Sequence, residues 1–204
     1  MVAKNPGDVL TSAGYNAQIK DNINKLLNQG HRVLTVAQFA ALTGIEDGDE
    51  AYIEVDSTNG IEWHVRYLSA EPTYKWRFLG GRPLYSEVLA SEATTSTTYV
   101  ALTTGGPSLG VPRVGDYDVT IGSTISEQGI VGAFHSYDIG GTGAVDADAV
   151  YGQSPGATGA ASSVRTRRKA ALTVVTLTSK YRATSAVNCL FASRWMAVVP
   201  VRLI

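Results

Sequence analysis

Apolar and polar residues change their spacing along this chain. Near the start, Tyr15, Ile19, Ile23 and Leu26 recur at four, four and three residues, one stripe of a helix over 11–30. Thr11 or Ser12 can cap it, Leu10 can staple onto Tyr15, and Gly30 ends it as a left-handed cap. The opposite face is Gln18, Asp21, Asn22, Lys25 and Asn28. So narrow a stripe suits packing against symmetry mates as well as against its own domain.

A second, shorter helix is expected over Val36–Leu42, capped by Thr35 and stopped by Gly44. The period then falls to two. Ala51–Asp56 and Ile61–Tyr67 alternate around Asn59-Gly60, a strong hairpin signal, and Tyr74–Phe78 reads as a third strand with aromatics on one face. Helix and meander make a small module over 31–82 that leans on a partner to bury enough surface. Gly80-Gly81-Arg82-Pro83 marks a boundary, after which composition shifts towards Thr, Ser, Ala and Gly.

From Leu84 onward only strands are predicted: Leu84–Leu89, Thr98–Leu102, Ser108–Val111, Gly115–Ile125, Ile130–Tyr137, Ala171–Leu177, and Leu190–Val199 continuing into Val201–Ile204. In the run from Asp116 to Ile121, Tyr117, Val119 and Ile121 should point inward. Short strands with Gly/Pro-rich turns point to a jelly-roll-like β-sandwich over 84–204, in a chain that is mainly β. Pro200 suggests an edge or a bulge. The Gly/Ala/Ser/Asp-rich stretch over 138–170 reads as irregular, and is either functional or ordered by a neighbour.

Charge narrows the functional classes. Only 17% of residues are charged against about 25% in soluble domains, so part of the surface is expected to be covered by copies of the chain. With 17 basic and 18 acidic residues there is no excess to neutralise phosphates, and no nucleic-acid partner is expected. No run approaches the ~18 apolar residues of a membrane span, and the N-terminus has no secretory h-region. Assembly in a cytoplasm follows as the expectation.

Candidate chemistry is sparse. Cys189, in an apolar run, reads as a buried inert thiol. His31, His64 and His135 fall in three different elements without metal-like spacing, and His64 belongs on the solvent face of its hairpin. Asp116 with Asp118 share a strand face. Asp146 with Asp148 could offer oxygens to calcium but lack an EF-hand pattern, and read as solvated loop acids. No nucleophile elbow, phosphate loop or dinucleotide fingerprint is present, and no cofactor, metal site or catalytic residue is nominated. The basic run Arg165-Thr166-Arg167-Arg168-Lys169 fits a gatekeeper beside a strand or an inter-subunit pairing site. Tyr137, Tyr151, Arg165, Arg167 and Arg168 are therefore the candidate surface-binding residues.

Three stretches together resemble structural proteins of tailed phages, particularly those of actinobacterial hosts. Asn5-Pro6-Gly7-Asp8-Val9-Leu10-Thr11, followed by Asn16 and Asp21-Asn22-Ile23-Asn24, is similar to the N-terminal segment of minor tail proteins. Ala37 to Tyr52, through Thr43-Gly44-Ile45-Glu46-Asp47-Gly48-Asp49, resembles a module of phage fibre and tail proteins that closes with Trp76 and Gly80-Gly81. Tyr99–Leu102, Val111–Tyr117 and the ending Arg194–Arg202 resemble a C-terminal β-sandwich of the same proteins. The resemblance implies a non-enzymatic, homotrimeric virion protein. Its segment 1–30 would attach it to tail or capsid, and its sandwich would meet the outside as a minor tail or fibre protein. Capsid decoration or a head fibre is the alternative.

Two rivals come from other classes. A carbohydrate-binding module would stack host-surface sugars on Tyr137, Tyr151 or Trp195. A cell-wall hydrolase would need paired carboxylates, for which Asp116, Glu127 and Asp146 are the candidates.

Overall fold

The computed structural model describes residues 33–127, 131–153 and 160–204. The predicted helix over 11–30, with Tyr15, Ile19, Ile23 and Leu26, lies outside the described residues, as does His31. Within them the chain is mainly β, two sheets packed face to face, and the only α-helix is the five-residue α1 (Val36–Ala40).

The large sheet runs β1 (Val33–Thr35), β2 (Glu50–Asp56), β3 (Ile61–Tyr67), β4 (Trp76–Gly81), β13 (Cys189–Leu203), β8 (Gly115–Glu127) and β11 (Ala160–Leu172). On the β4 side of β13, β5 (Leu84–Val88) and β6 (Glu92–Thr94) pair with its remaining length. The small sheet runs β10 (Val150–Gln153), β9 (Gly132–Ile139), β12 (Val175–Ala183) and β7 (Ser108–Val111). All pairings are antiparallel except β1 with β2. Tyr117, Val119 and Ile121 point inward as their alternation predicts, packing with Tyr137 and Leu177 of the small sheet.

The N-terminal module is continuous with the sandwich. Gly80–Pro83 leads from β4 into β5, and Arg202 and Leu203 of β13 pair with Arg77 and Trp76 of β4. Trp63, fully buried, donates its indole N–H to the Arg82 carbonyl at 3.0 Å and lies 6.2 Å from the Tyr117 ring. Thr35 and Gln38 close a capping box over α1, which brings Phe39 against Trp76 (ring centroids 4.8 Å) and under the Arg113 guanidinium. Arg113 in turn donates to the Ile204 carbonyl at 2.7 Å. Module and sandwich thus share one hydrophobic core.

Gly80 and Gly81, expected as breakers, end β4. Gly81 has φ +130°, and a Cβ there would come 2.3 Å from the Glu62 carbonyl, so only glycine lets the two strands close. The strand expected at Thr98–Leu102 makes a single bridge, Val100 to Tyr181. The one expected at Ala171–Leu177 is the end of β11, where Ala171 takes φ +55° at a register shift against β8, and the start of β12, with Thr173 and Val174 between them. Pro200 sits where β13 shifts register against β8, between the stretches bonded to β5 and to β4, so its missing N–H breaks no ladder.

The largest departure lies within 138–170. This stretch carries a 3-10 turn (Asp146–Asp148), β10 and most of the thirteen-residue β11. No apolar alternation announces β11 because, as the outermost strand, it buries almost nothing before Leu172.

Candidate functional site

The basic run lies inside β11, and the strand's alternation splits it between two faces. Ser163, Arg165 and Arg167 reach across to the exposed edge of β10 and the turn before it. Ser163 Oγ donates to the Tyr151 carbonyl at 3.0 Å, Arg165 Nη1 to Ala149 at 2.9 Å and Arg167 Nε to Ala147 at 2.9 Å. Lys169 continues the row with an ion pair to Asp148 and lies 5.7 Å from the Tyr137 ring centroid. Side chains of one sheet's edge strand thus occupy the outward carbonyls of the other sheet's edge, closing the sandwich along that seam. These carbonyls are therefore already bonded to side chains at an edge that would otherwise be open.

Of the predicted surface residues, the seam brings Tyr151 and Arg165 together around a shallow depression shared with Ser163 and Val164. Tyr151 is 44% exposed, its ring 4.8 Å from Phe134 and its hydroxyl on Gln153 Oε1 at 3.0 Å. Arg168 turns to the opposite face and forks onto Asp118 at 2.9 and 3.0 Å. There it borders a second depression floored by Val199 and Val201. Tyr137 is not a surface residue: it is 1% exposed between the sheets, and burial pushes its hydroxyl pKa well above the ordinary value, with Asp148 adding to the rise. Stacking on a ligand is closed to it.

The acids separate likewise. Asp146 takes a forked pair from Arg182 (3.1 and 2.6 Å) and the Tyr99 hydroxyl at 2.8 Å, and the Arg182 bonds hold its carboxyl below the usual range. Asp148 is 7% exposed and engaged by Lys169, so it is not the solvated loop acid expected. Among the described residues no group of three His, Cys, Asp or Glu side chains could hold a metal ion. His64 stands on its hairpin's outer face within 2.7 Å of Glu50, while Cys189 is fully buried as expected.

Sequence reasoning missed the buried polar column between the sheets. His135 is stacked on Tyr181 (4.7 Å, 20°) with Nε2 3.0 Å from Ser179 Oγ, and the Arg194 guanidinium lies 5.4 Å from the same Tyr181 ring. His135 and Tyr137 share a strand parity that buries both, a spacing visible in the sequence but opposite in phase to the apolar Phe134. The column is enclosed, so it supports the fold and offers no surface to a ligand.

Replacing both Arg165 and Arg167 with alanine strips two charge-assisted bonds from the seam. The loss should be about 2 kcal/mol, because water can take over the freed carbonyls only in part. A urea midpoint equal to that of the unaltered chain would show that the seam is held otherwise.

No family model matches the sequence, and no curated protein matches it. Among solved structures the chain is similar to that of infectious bursal disease virus, Gx strain, at 13% identity over 70% of this chain and 42% of that one, with TM-score 0.38. It therefore spans less than half of the viral chain. It is also similar to the C-terminal CBM6 of the laminarinase LamC from Zobellia galactanivorans, at 15% identity over 56% of this chain and 98% of that one, TM-score 0.31. A third is the CBM22-1 xylan-binding domain of Paenibacillus barcinonensis Xyn10C, at 15% identity over 78% and 99%, TM-score 0.28. Likenesses this distant assign neither family nor activity, and the β-sandwich stands on its own strand pairing.

Proposed function

We propose that the chain is a homotrimeric structural component of a tailed-phage virion. Residues 1–30 attach it, and the sandwich is displayed as a minor tail or fibre protein that meets the host surface. The observation that carries this reading is the placement of β1. It is the outermost strand at one end of the large sheet, with the sandwich seam of β11 and β10 at the other. Chain preceding Val33 therefore joins at the end away from the seam, and the shared core makes the intervening module a stiff spacer. The order of the three phage-like stretches along the sequence agrees with that polarity. The function is assembly and contact rather than catalysis.

Light scattering of the purified chain should give three times its 21.6 kDa. Antibody labelling of intact particles should mark the tail; labelling over the head would move the protein to capsid decoration. Removing residues 1–30 should abolish incorporation while leaving the sandwich folded. A truncated protein that still joins particles would end the proposed division of labour.

A further inference from the structure

A tryptophan is exported from the core of the longest strand. Along β13, Cys189 and Phe191 point inward and are fully buried, so Trp195, of the same parity, should follow them. It does not. Between Ala192 and Trp195 the strand bulges against β8, with Ser193 at φ +46°, a left-handed conformation uncommon for a residue other than glycine. The bulge inverts the alternation. Arg194, Met196 and Val198 turn inward at 0% exposure, and Trp195 turns out onto the large sheet's outer face. Backbone strain that moves the largest apolar side chain towards solvent, and a charged one inward, calls for a function at the surface.

On that face the indole lies flat. Gly122 is the β8 partner of Trp195, and a Cβ there would fall 2.4–2.6 Å from three indole atoms. The ring therefore rests on the Gly122 backbone and buries it, although Gly122 belongs to the outer face. Covering a glycine occupies one face of the indole; Trp195 stays partly exposed through the other. Tyr85 of β5, 51% exposed, extends the surface at 6.3 Å between centroids and 31° between planes.

The rim is polar in a particular way. Glu87, the β5 residue in register with Trp195, is exposed and accepts the Tyr85 hydroxyl at 3.0 Å. Two residues to either side of Gly122 along β8, hydroxyl pairs bridge to β11: Thr120 with Thr166 at 2.8 Å and Thr124 with Ser162 at 2.9 Å. Each hydroxyl has both donor and acceptor capacity and can bond beyond its mate. An apolar protein partner would have to strip water from the Glu87 carboxylate and four hydroxyls without pairing them. An anion would meet Glu87. A pyranose suits both parts, with C–H groups on its faces for the aromatic planes and hydroxyls around its edge for the carboxylate and the rim.

We propose that the outer face of the large sheet is a sugar-binding platform, with Trp195 lying over Gly122 and Tyr85 as the stacking surface, and Glu87 and the Thr120–Thr166 and Thr124–Ser162 pairs taking ring hydroxyls. Its ligand is a neutral oligosaccharide. The platform rests on strand geometry alone and stands whichever particle carries the chain.

Trp195 supplies its own reporter, since Trp63 and Trp76 are buried at 0% and 5% exposure and iodide quenching therefore reads Trp195. The full chain is screened against an array of bacterial cell-wall, plant and animal oligosaccharides, and the best binder is titrated against iodide quenching. Binding should protect Trp195. Trp195→Ala should weaken affinity at least tenfold. Gly122→Val should do the same with the tryptophan present, by lifting the ring, and Glu87→Gln should weaken it several-fold with least disturbance to the fold. Any of three results overturns the platform: no array sugar protects Trp195, the three variants bind as the unaltered chain does, or protection rises with protein concentration alone because a second copy covers the face. Light scattering of the same samples reads the trimer independently, so failure of the platform and failure of the virion reading are told apart.

Discussion

Arg194→Met should destabilise the fold by about 3 kcal/mol, because the two charge-assisted bonds that a buried guanidinium gives to the Ala90 and Gly105 carbonyls are lost together. The side chain is fully buried. Nη1 donates to the Gly105 carbonyl at 3.0 Å and lies 3.4 Å from Glu92 Oε2, while Nη2 donates to the Ala90 carbonyl at 2.9 Å and to Thr104 Oγ1 at 3.3 Å. Methionine fills much of the volume but donates nothing, so two carbonyls lose their donor where water reaches poorly, while Glu92 keeps those from Thr104.

The loss has a location. Residues 95–107 form no strand and reach the small sheet through the Val100 bridge and the Ser96 and Pro107 carbonyls, which accept from the Ala183 and Ser179 amides of β12; Arg194 joins both sides of this connection, at Ala90–Glu92 and at Thr104–Gly105, to β13. Hydrogen exchange in that connection should therefore rise before the rest of the sandwich opens. Arg194→Lys keeps a charge but cannot fork to the Ala90 and Gly105 carbonyls together, and should recover less than half of the loss. A methionine variant within 1 kcal/mol of the unaltered chain in urea would show that Glu92, already held by the Thr104 amide at 3.0 Å, needs no arginine.

The same bulge explains where the sequence was legible and where it was not. Alternation located β8, the β2–β3 hairpin and Ser108–Val111, because each buries apolar residues on one face only, and the Thr35 cap was plain from side-chain chemistry. Parity assigns Phe191 and Trp195 to the same face, and nothing in Ala192-Ser193 announces the extra residue that separates them. Consequently the buried arginine could not be placed, and Trp195 could be nominated for sugar stacking by residue type but not assigned to a face. The strand β11 was hidden for the opposite reason. Its side chains pair with hydroxyls of β8 and with backbone carbonyls, a cohesion that leaves no hydrophobic period. Tyr137 was read as surface, yet β9 turns His135 and Tyr137 inward and Phe134 outward beneath the Arg182 guanidinium at 4.1 Å. Polarity alone predicts the reverse.

Acid should weaken the sandwich well before its carboxylates protonate, through His135. Complete burial, with the nearby Arg194 charge adding to it, lowers the imidazole pKa from 6.5 to about 3. Protonation would give the ring two N–H donors, yet only Ser179 Oγ stands within reach of Nε2, and Nδ1 has no partner among the described residues. In the unfolded chain the same histidine takes up a proton near pH 6.5. The unfolded state therefore binds more protons over the whole window between 6.5 and about 3, and stability falls as pH falls through it, by about 1.4 kcal/mol per unit. At pH 4.5 the loss relative to neutrality should be about 2.5 kcal/mol. The depressed carboxyls, such as Asp146 held by Arg182 and Glu92 held by Thr104, contribute with the same sign but mainly as pH falls through their ordinary values of 3.8 and 4.5. Most of the loss between 6.5 and 4.5 thus belongs to the histidine. His135→Gln can still face Ser179 but cannot take a proton. It should start less stable at pH 7 and lose almost nothing further by pH 4.5, so that the two urea midpoints converge. Parallel decline of both proteins across that interval would show that the buried imidazole does not govern the acid response.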